Sequence, residues 1–144
     1  MMSKLIRFVS VLLLCVFVIS AAVPVQAAAG GKRIIVSLSQ QRLYAYQGNT
    51  LVFSAAVNAW GTARGTFRVR TKIYNAPSIY RGWWLPYWLG IYMVGRTENG
   101  IHGPATTAHG VTTASLGCVV LRSRANAAAL FGWAPYGTPV IVRR

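Results

Sequence analysis

Beyond residue 29 the chain carries one convincing helix signal against many short strand signals, and that imbalance restricts it to a mainly β architecture. The helix signal follows Ser123, a suitable N-cap, and runs from Ala125 to Phe131, where Gly132 is expected to stop it. Everything before it is punctuated. Arg33 to Leu38 reads as a strand, Gln41 to Tyr46 alternates polar with apolar, and Gln47-Gly48-Asn49 turns the chain into another strand over Thr50 to Val57. Together these form an N-terminal hairpin. Thr62 to Gly65 is a loop. Thr66 to Tyr74 then alternates strictly, setting Thr66, Arg68, Arg70 and Lys72 against Phe67, Val69, Thr71 and Ile73, so a strand with an exposed basic face is expected. Gly137-Thr138-Pro139 leads into a last strand, Val140 to Val142. There is no repeat and no second domain.

The segment Ile79 to Val94 is crowded with Tyr80, Trp83, Trp84, Tyr87, Trp88 and Tyr92. Gly82, Pro86 and Gly90 interrupt it too often for a membrane span. Packing into core and lid is its first reading; an aromatic wall against a substrate is the functional one.

The first 29 residues stand apart. Lys4 and Arg7 form a basic start, Phe8 to Ile19 is an almost unbroken apolar run, and Val25-Gln26-Ala27 supplies small residues at cleavage spacing, with Ala27-Ala28-Ala29 as an alternative. This is the pattern of an export signal cleaved near residues 27–29. The run is shorter than the ~20 residues of a spanning helix, and an uncleaved anchor is the rival reading. The expectation is a mature domain over 30–144, placed in the periplasm, in the cell wall or outside the cell, with no stable membrane span. Cys15 leaves with the signal, so Cys118 remains as a lone thiol in a compartment that favours disulfides, either intermolecular or reactive.

Charge narrows the partners. Fifteen Lys and Arg face one acid, Glu98; without Lys4 and Arg7 the balance is 13 against one, about +12. Such a surface expects an anionic partner. The bases are scattered singly apart from Arg64, Arg68, Arg70 and Lys72, and no nucleic-acid-binding motif appears, so nucleic acid is excluded in favour of an anionic cell-wall polymer. A chain without Asp also has almost no carboxylate to orient an imidazole. Any histidine base must be held by a backbone carbonyl or an amide.

The chemistry concentrates in Ile101-His102-Gly103 and Ser115-Leu116-Gly117-Cys118, joined by a loop from Pro104 to Ala114 that contains His109. A thiol becomes a strong nucleophile when a base takes its proton, and imidazole suits that task near neutral pH. Gly117 permits a tight turn ahead of Cys118, which would free main-chain N–H groups for an oxyanion. A buried structural cysteine and an exposed loop histidine are the plain alternative. The cationic surround and nearby imidazole predict that the Cys118 thiolate forms below the ordinary cysteine range.

Ile-His-Gly, a loop, then Ser-x-Gly-Cys, with sixteen positions from His102 to Cys118, resembles the catalytic signature of the L,D-transpeptidases (the YkuD-type domain). The likeness extends over residues 33–144. Ile-Val-x-Leu-x-Gln-Gln-Arg-Leu-x-Ala-Tyr is similar to the family's first hairpin, Thr62-Ala63-Arg64-Gly65-Thr66-Phe67 to its Thr-Pro-x-Gly-x-Phe, and Tyr136 to Val140 to its closing strand. The resemblance implies a β-sandwich or barrel with one short helix after the cysteine. It implies Cys118 as nucleophile, His102 as general base and acid, Gly103 as the carbonyl orienting His102, and N–H groups around Gly117 and Cys118 as oxyanion hole. Ser115, Arg122, His109 and Tyr92 are candidate substrate contacts. The implied reaction is acyl transfer through a Cys thioester between peptidoglycan stem peptides, by a monomer without metal or cofactor. A thiol L,D-carboxypeptidase and a non-catalytic cationic wall-binding module are the alternatives. The chain departs from the pattern at Leu116, where many members have His, and at Val120, where Arg or Asn is common.

Overall fold

The computed structural model describes residues 31–144; the expected export signal lies outside them. The elements are β1 (Lys32–Ser37), β2 (Arg42–Gln47), β3 (Thr50–Asn58), β4 (Gly65–Arg68), β5 (Thr71–Pro77), β6 (Trp84–Val94), β7 (Thr97–His102), β8 (Ala105–Thr107), β9 (Gly110–Thr112), β10 (Val119–Leu121), α1 (Arg124–Trp133) and β11 (Pro139–Arg143). The strands form one continuous sheet in the order β4-β11-β1-β2-β3-β10-β7-β6-β8-β9, with β5 also paired to β6.

Two halves of this sheet meet at β3, which pairs antiparallel with β2 along its length and with β10 through Val57 and Asn58. Alternation sends Ile34, Val36, Leu43 and Ala45 from one half, and Leu89, Ile91, Ile101 and Val119 from the other, into one shared core. Leu130 of α1 joins them fully buried, a burial that contributes on the order of 2 kcal/mol. The hydrogen-bonded path is open, yet the chain crosses between the halves a second time. Val69 N–H donates to Thr138 in the first half, and Arg70 N–H donates to Gly90 in the second, at 2.9 and 2.8 Å.

That crossing corrects the strand read over Thr66 to Tyr74. The alternation is real, but the chain leaves one half at Arg68 and joins the other at Thr71. The basic face is also incomplete. Arg68 and Arg70 are exposed, whereas Lys72 is half-buried and donates to the carbonyls of Phe131 and Ala134 at 2.7 and 2.6 Å. Lys32 reaches Trp133 O from the other side at 2.9 Å. The two lysines thus occupy the C-terminal carbonyls of α1, which helix geometry leaves unsatisfied.

At its other end α1 begins as expected, with Ser123 Oγ accepting from Asn126 N–H at 3.3 Å. Gly132 does not stop it. The helix passes through Gly132 and ends before Ala134, which is extended at φ −90, ψ 107. Pro135 follows, and a proline disfavours helical backbone in the residue before it. The loop expected from Pro104 to Ala114 holds the β8–β9 hairpin, tied to β6 by the Trp84–Thr106 pair. None of the described residues forms a helix long and apolar enough to cross a membrane.

Candidate active site

β10 runs parallel to β7 with Val119 beside Ile101 and Val120 beside His102. Val119 and Ile101 are fully buried in the core, so Cys118 and His102 emerge together on the opposite face. Both line one cavity of about 320 Å³, near the small end of the ~300–1,000 Å³ range of small-molecule sites. Gly100 stands two residues before His102 on β7, and its backbone meets the Cys118 thiol. A Cβ there would collide with the Leu89 carbonyl, so the position must be bare.

His102 is 3% exposed and its Nδ1 lies 2.6 Å from Gly103 O. A carbonyl only accepts, so Nδ1 carries the proton and Nε2 keeps its lone pair. Trp88 stacks on the ring at 5.8 Å between centroids. Burial draws the imidazole down to about 4, partly offset by the Gly103 bond. Burial pushes the Cys118 thiol up, opposed by a backbone hydrogen bond from Gly100. This reverses the direction expected from charge alone. Desolvation acts on both groups in the same sense, favouring the neutral thiol and the neutral imidazole.

The turn before Cys118 is tied to distant parts of the chain. Gly117 has φ +107, and a Cβ there would lie 2.7 Å from Asn99 Nδ2. Its N–H donates to Trp60 O at 3.1 Å. Of the two N–H groups expected to serve an oxyanion, that of Gly117 is therefore already committed. Thr62 Oγ1 donates to Cys118 O at 3.0 Å. Ser115 Oγ lies 2.8 Å from Trp60 O and 2.6 Å from Cys118 O, with one proton to share between them.

Tyr92 completes this anchorage. It is buried, and its hydroxyl donates to Gly117 O at 2.7 Å while accepting from Ala63 N–H at 3.1 Å and Asn99 Nδ2 at 3.2 Å. It lies beneath the turn and does not line the cavity. Arg122 is exposed and donates to Asn58 Oδ1 at 3.0 Å, away from the pair. His109 is exposed in the β8–β9 turn, where its N–H donates to Thr107 Oγ1. Of the four candidate contacts, none lines the cavity itself.

The aromatic segment divides between its two readings. Tyr92 is buried away from the cavity, Trp88 is buried yet contributes to its wall, and Ile79, Tyr80 and Trp83 line it as well. Asn99 and Gly100 are missed by the sequence, where Asn-Gly reads as a turn. They lie inside β7, and Asn99 Oδ1 is 3.9 Å from Cys118 Sγ. Glu98 is missed too. It lines the cavity and accepts from Thr71 Oγ1 at 2.6 Å. Among the described residues no His, Cys, Asp and Glu cluster could hold a metal ion.

Solved structures with this fold include L,D-transpeptidases. One from Stackebrandtia nassauensis superposes with a TM-score of 0.66 at 26% identity, covering 87% of this chain and 61% of its own. One from Mycobacterium smegmatis gives 0.63 at 18%, covering 78% and 58%. An L,D-transpeptidase in complex with imipenem gives 0.62 at 17%, also covering 78% and 58%. The chain thus spans about three-fifths of the length of these structures. No curated protein matches it by sequence. The family model for the L,D-transpeptidase catalytic domain (YkuD) matches residues 31–142, and the chain belongs to that family.

Proposed function

We propose that this chain is a cysteine L,D-transpeptidase acting on peptidoglycan stem peptides. The observation that carries the reading is the shared cavity of Cys118 and a His102 whose Nδ1 is held by Gly103 O, leaving Nε2 as base. Cys118 Sγ attacks the carbonyl carbon of the diamino acid's L-centre, and His102 Nε2 takes the thiol proton as the S–C bond forms. The oxyanion receives Cys118 N–H. The C–N bond to the terminal D-alanine breaks, and the imidazolium returns its proton to the leaving amine. The thioester is then attacked by an amine of a second stem. The new C–N bond forms as the C–S bond breaks, and His102 Nε2 takes the proton the amine loses and returns it to the departing thiolate, leaving the cross-link and the free thiol.

Neutral resting partners suit this sequence, because the buried imidazole becomes charged only while a negative charge develops beside it. Donor binding would assist by completing the desolvated site. The protein works outside the membrane as a monomer, drawn to the anionic wall by its excess of cations and indifferent to nucleic acid.

The test is mass spectrometry of the purified mature protein with a disaccharide tetrapeptide and an amine acceptor. An adduct on Cys118 lighter than the intact donor by one D-alanine, followed by cross-linked product, is expected. Tripeptide without cross-link would make the protein a carboxypeptidase. Absence of any adduct would leave a wall-binding module.

A further inference from the structure

Glu98 is the only acidic side chain in the sequence, and the fold builds a place for it on the catalytic cavity. Its Oε2 accepts from Thr71 Oγ1 at 2.6 Å and lies 3.5 Å from Trp88 Nε1, which also donates to Thr71 Oγ1 at 3.1 Å. Gly90 makes this possible, since a Cβ there would occupy the space of Glu98 Oε2 and Thr71 Oγ1. Among the described residues Oε1 has no hydrogen-bond partner, and it is not a buried orphan. One oxygen is pinned and the other is free.

Its place along the strand is informative. Glu98, Gly100 and His102 alternate onto one face of β7, and Gly100 is the residue whose backbone meets the Cys118 thiol. Two residues of strand separate Glu98 from that point by about 7 Å. Five single bonds join the L-centre carbon of a lysine-like diamino acid to its terminal nitrogen, spanning about 6 Å when extended. With the reacting carbonyl at Cys118, the terminal amine of the same residue reaches Glu98. Among the described residues Arg96 is the one Lys or Arg on the cavity wall and repels a cation, so charge attraction there falls to Glu98.

We propose that Glu98 is a specificity residue of the donor site: its free carboxylate oxygen binds the unacylated ammonium at the end of the donor's diamino side chain. The inference rests on the transpeptidase reading above. It implies that stems whose amine is already cross-linked or capped are poor donors, so the enzyme spends its acyl-enzyme on unlinked strands.

Two donor tetrapeptides test it, one with the side-chain amine free and one N-acetylated, with acyl-enzyme formation followed by mass spectrometry. Wild-type protein is expected to prefer the free amine by about tenfold in kcat/KM, the scale of one charge-assisted hydrogen bond. Glu98→Gln keeps an acceptor for Thr71 and Trp88 while losing the charge. It should collapse that preference to near unity, chiefly through KM for the free-amine donor. A merely structural role for Glu98 would lower both donors together and preserve the ratio. An unchanged ratio in Glu98→Gln, or no preference in the wild type, overturns the proposal. Wild-type protein that acylates with neither donor, while Cys118 still reacts with iodoacetamide, removes the transpeptidase reading and this inference with it.

Discussion

Cys118 sits in a turn bound to residues 25 or more positions away, whereas the cavity wall from Ser78 to Trp83 is bound mainly to itself. Trp60 O, Thr62 Oγ1 and Tyr92 Oη hold the turn from three separate segments. The wall from Ser78 to Trp83 is closed by local bonds, Ser78 N–H to Trp83 O at 3.0 Å and Trp83 N–H to Tyr80 O at 3.1 Å. Its side chains also stay in contact with water, Ile79 at 72% and Tyr80 at 44% exposed. Long-range bonds on buried groups cannot open without disturbing the core, while local exposed bonds open at low cost. If Cys118 and His102 react as proposed, the contrast separates the tasks: reacting atoms are fixed, and the surface that would meet the substrate is free to adjust.

Removing the fixed parts tests this contrast most severely. Cys118→Ala should abolish the stem-peptide adduct while leaving the thermal midpoint within a few degrees of wild type; any remaining covalent adduct would displace Cys118 as nucleophile. His102→Ala should slow acylation by roughly 10²- to 10⁴-fold, the usual worth of a positioned general base. Stopped-flow acylation kinetics measure it.

Titration of His102 comes next in size. An unfolded histidine titrates near 6.5 and the folded one at about 4. Between those values the unfolded chain binds more protons, so stability is lost as pH falls through that window, by on the order of 3 kcal/mol in total. With Glu98 the only acidic side chain, few other groups mask the effect. Urea unfolding at pH 7 and pH 4 should show it, and His102→Gln should flatten it. A wild-type slope retained in His102→Gln would mean that another group carries the titration.

Tyr92→Phe leaves Gly117 O, Ala63 N–H and Asn99 Nδ2 each short of a partner. It should cost about 1–3 kcal/mol in stability and slow acylation further, through a loosened turn. Unaltered kinetics at lowered stability would show that the anchor serves the core alone. The smallest effect is expected on the exposed hairpin. His109→Ala should alter stability by less than about 0.5 kcal/mol and acylation by less than twofold. A loss comparable with His102→Ala would move the general base into the β8–β9 turn.

The same contrast explains what could be read from the sequence. β1 to β3 were legible because one face of each is buried and Gly48-Asn49 turns the chain at a positive φ of +58 for Gly48. That Cys118 and His102 belong to one neighbourhood was legible through the family signature, and both line the same cavity. Illegible were features whose meaning lies in a distant neighbour. Asn99-Gly100 has the composition of a turn, but Gly100 is required by the Leu89 carbonyl of the next strand. Thr66 to Ile73 keeps its alternation across the gap between two half-sheets, so period alone could not reveal the crossing. The thiol's shift upward likewise depends on burial, which no count of lysines and arginines supplies.

The two lysines at the end of α1 carry a consequence for the molecule at long range. Lys32 and Lys72 are satisfied by carbonyls, not carboxylates. A carbonyl offers a dipole, which steadies an ammonium nearby but subtracts nothing from its monopole. A protein that pairs its lysines with acids loses their field within a few ångströms; this one retains it out to the Debye length, about 8 Å at physiological salt and near 30 Å in dilute buffer. Internal order and outward charge are therefore not in competition in this fold.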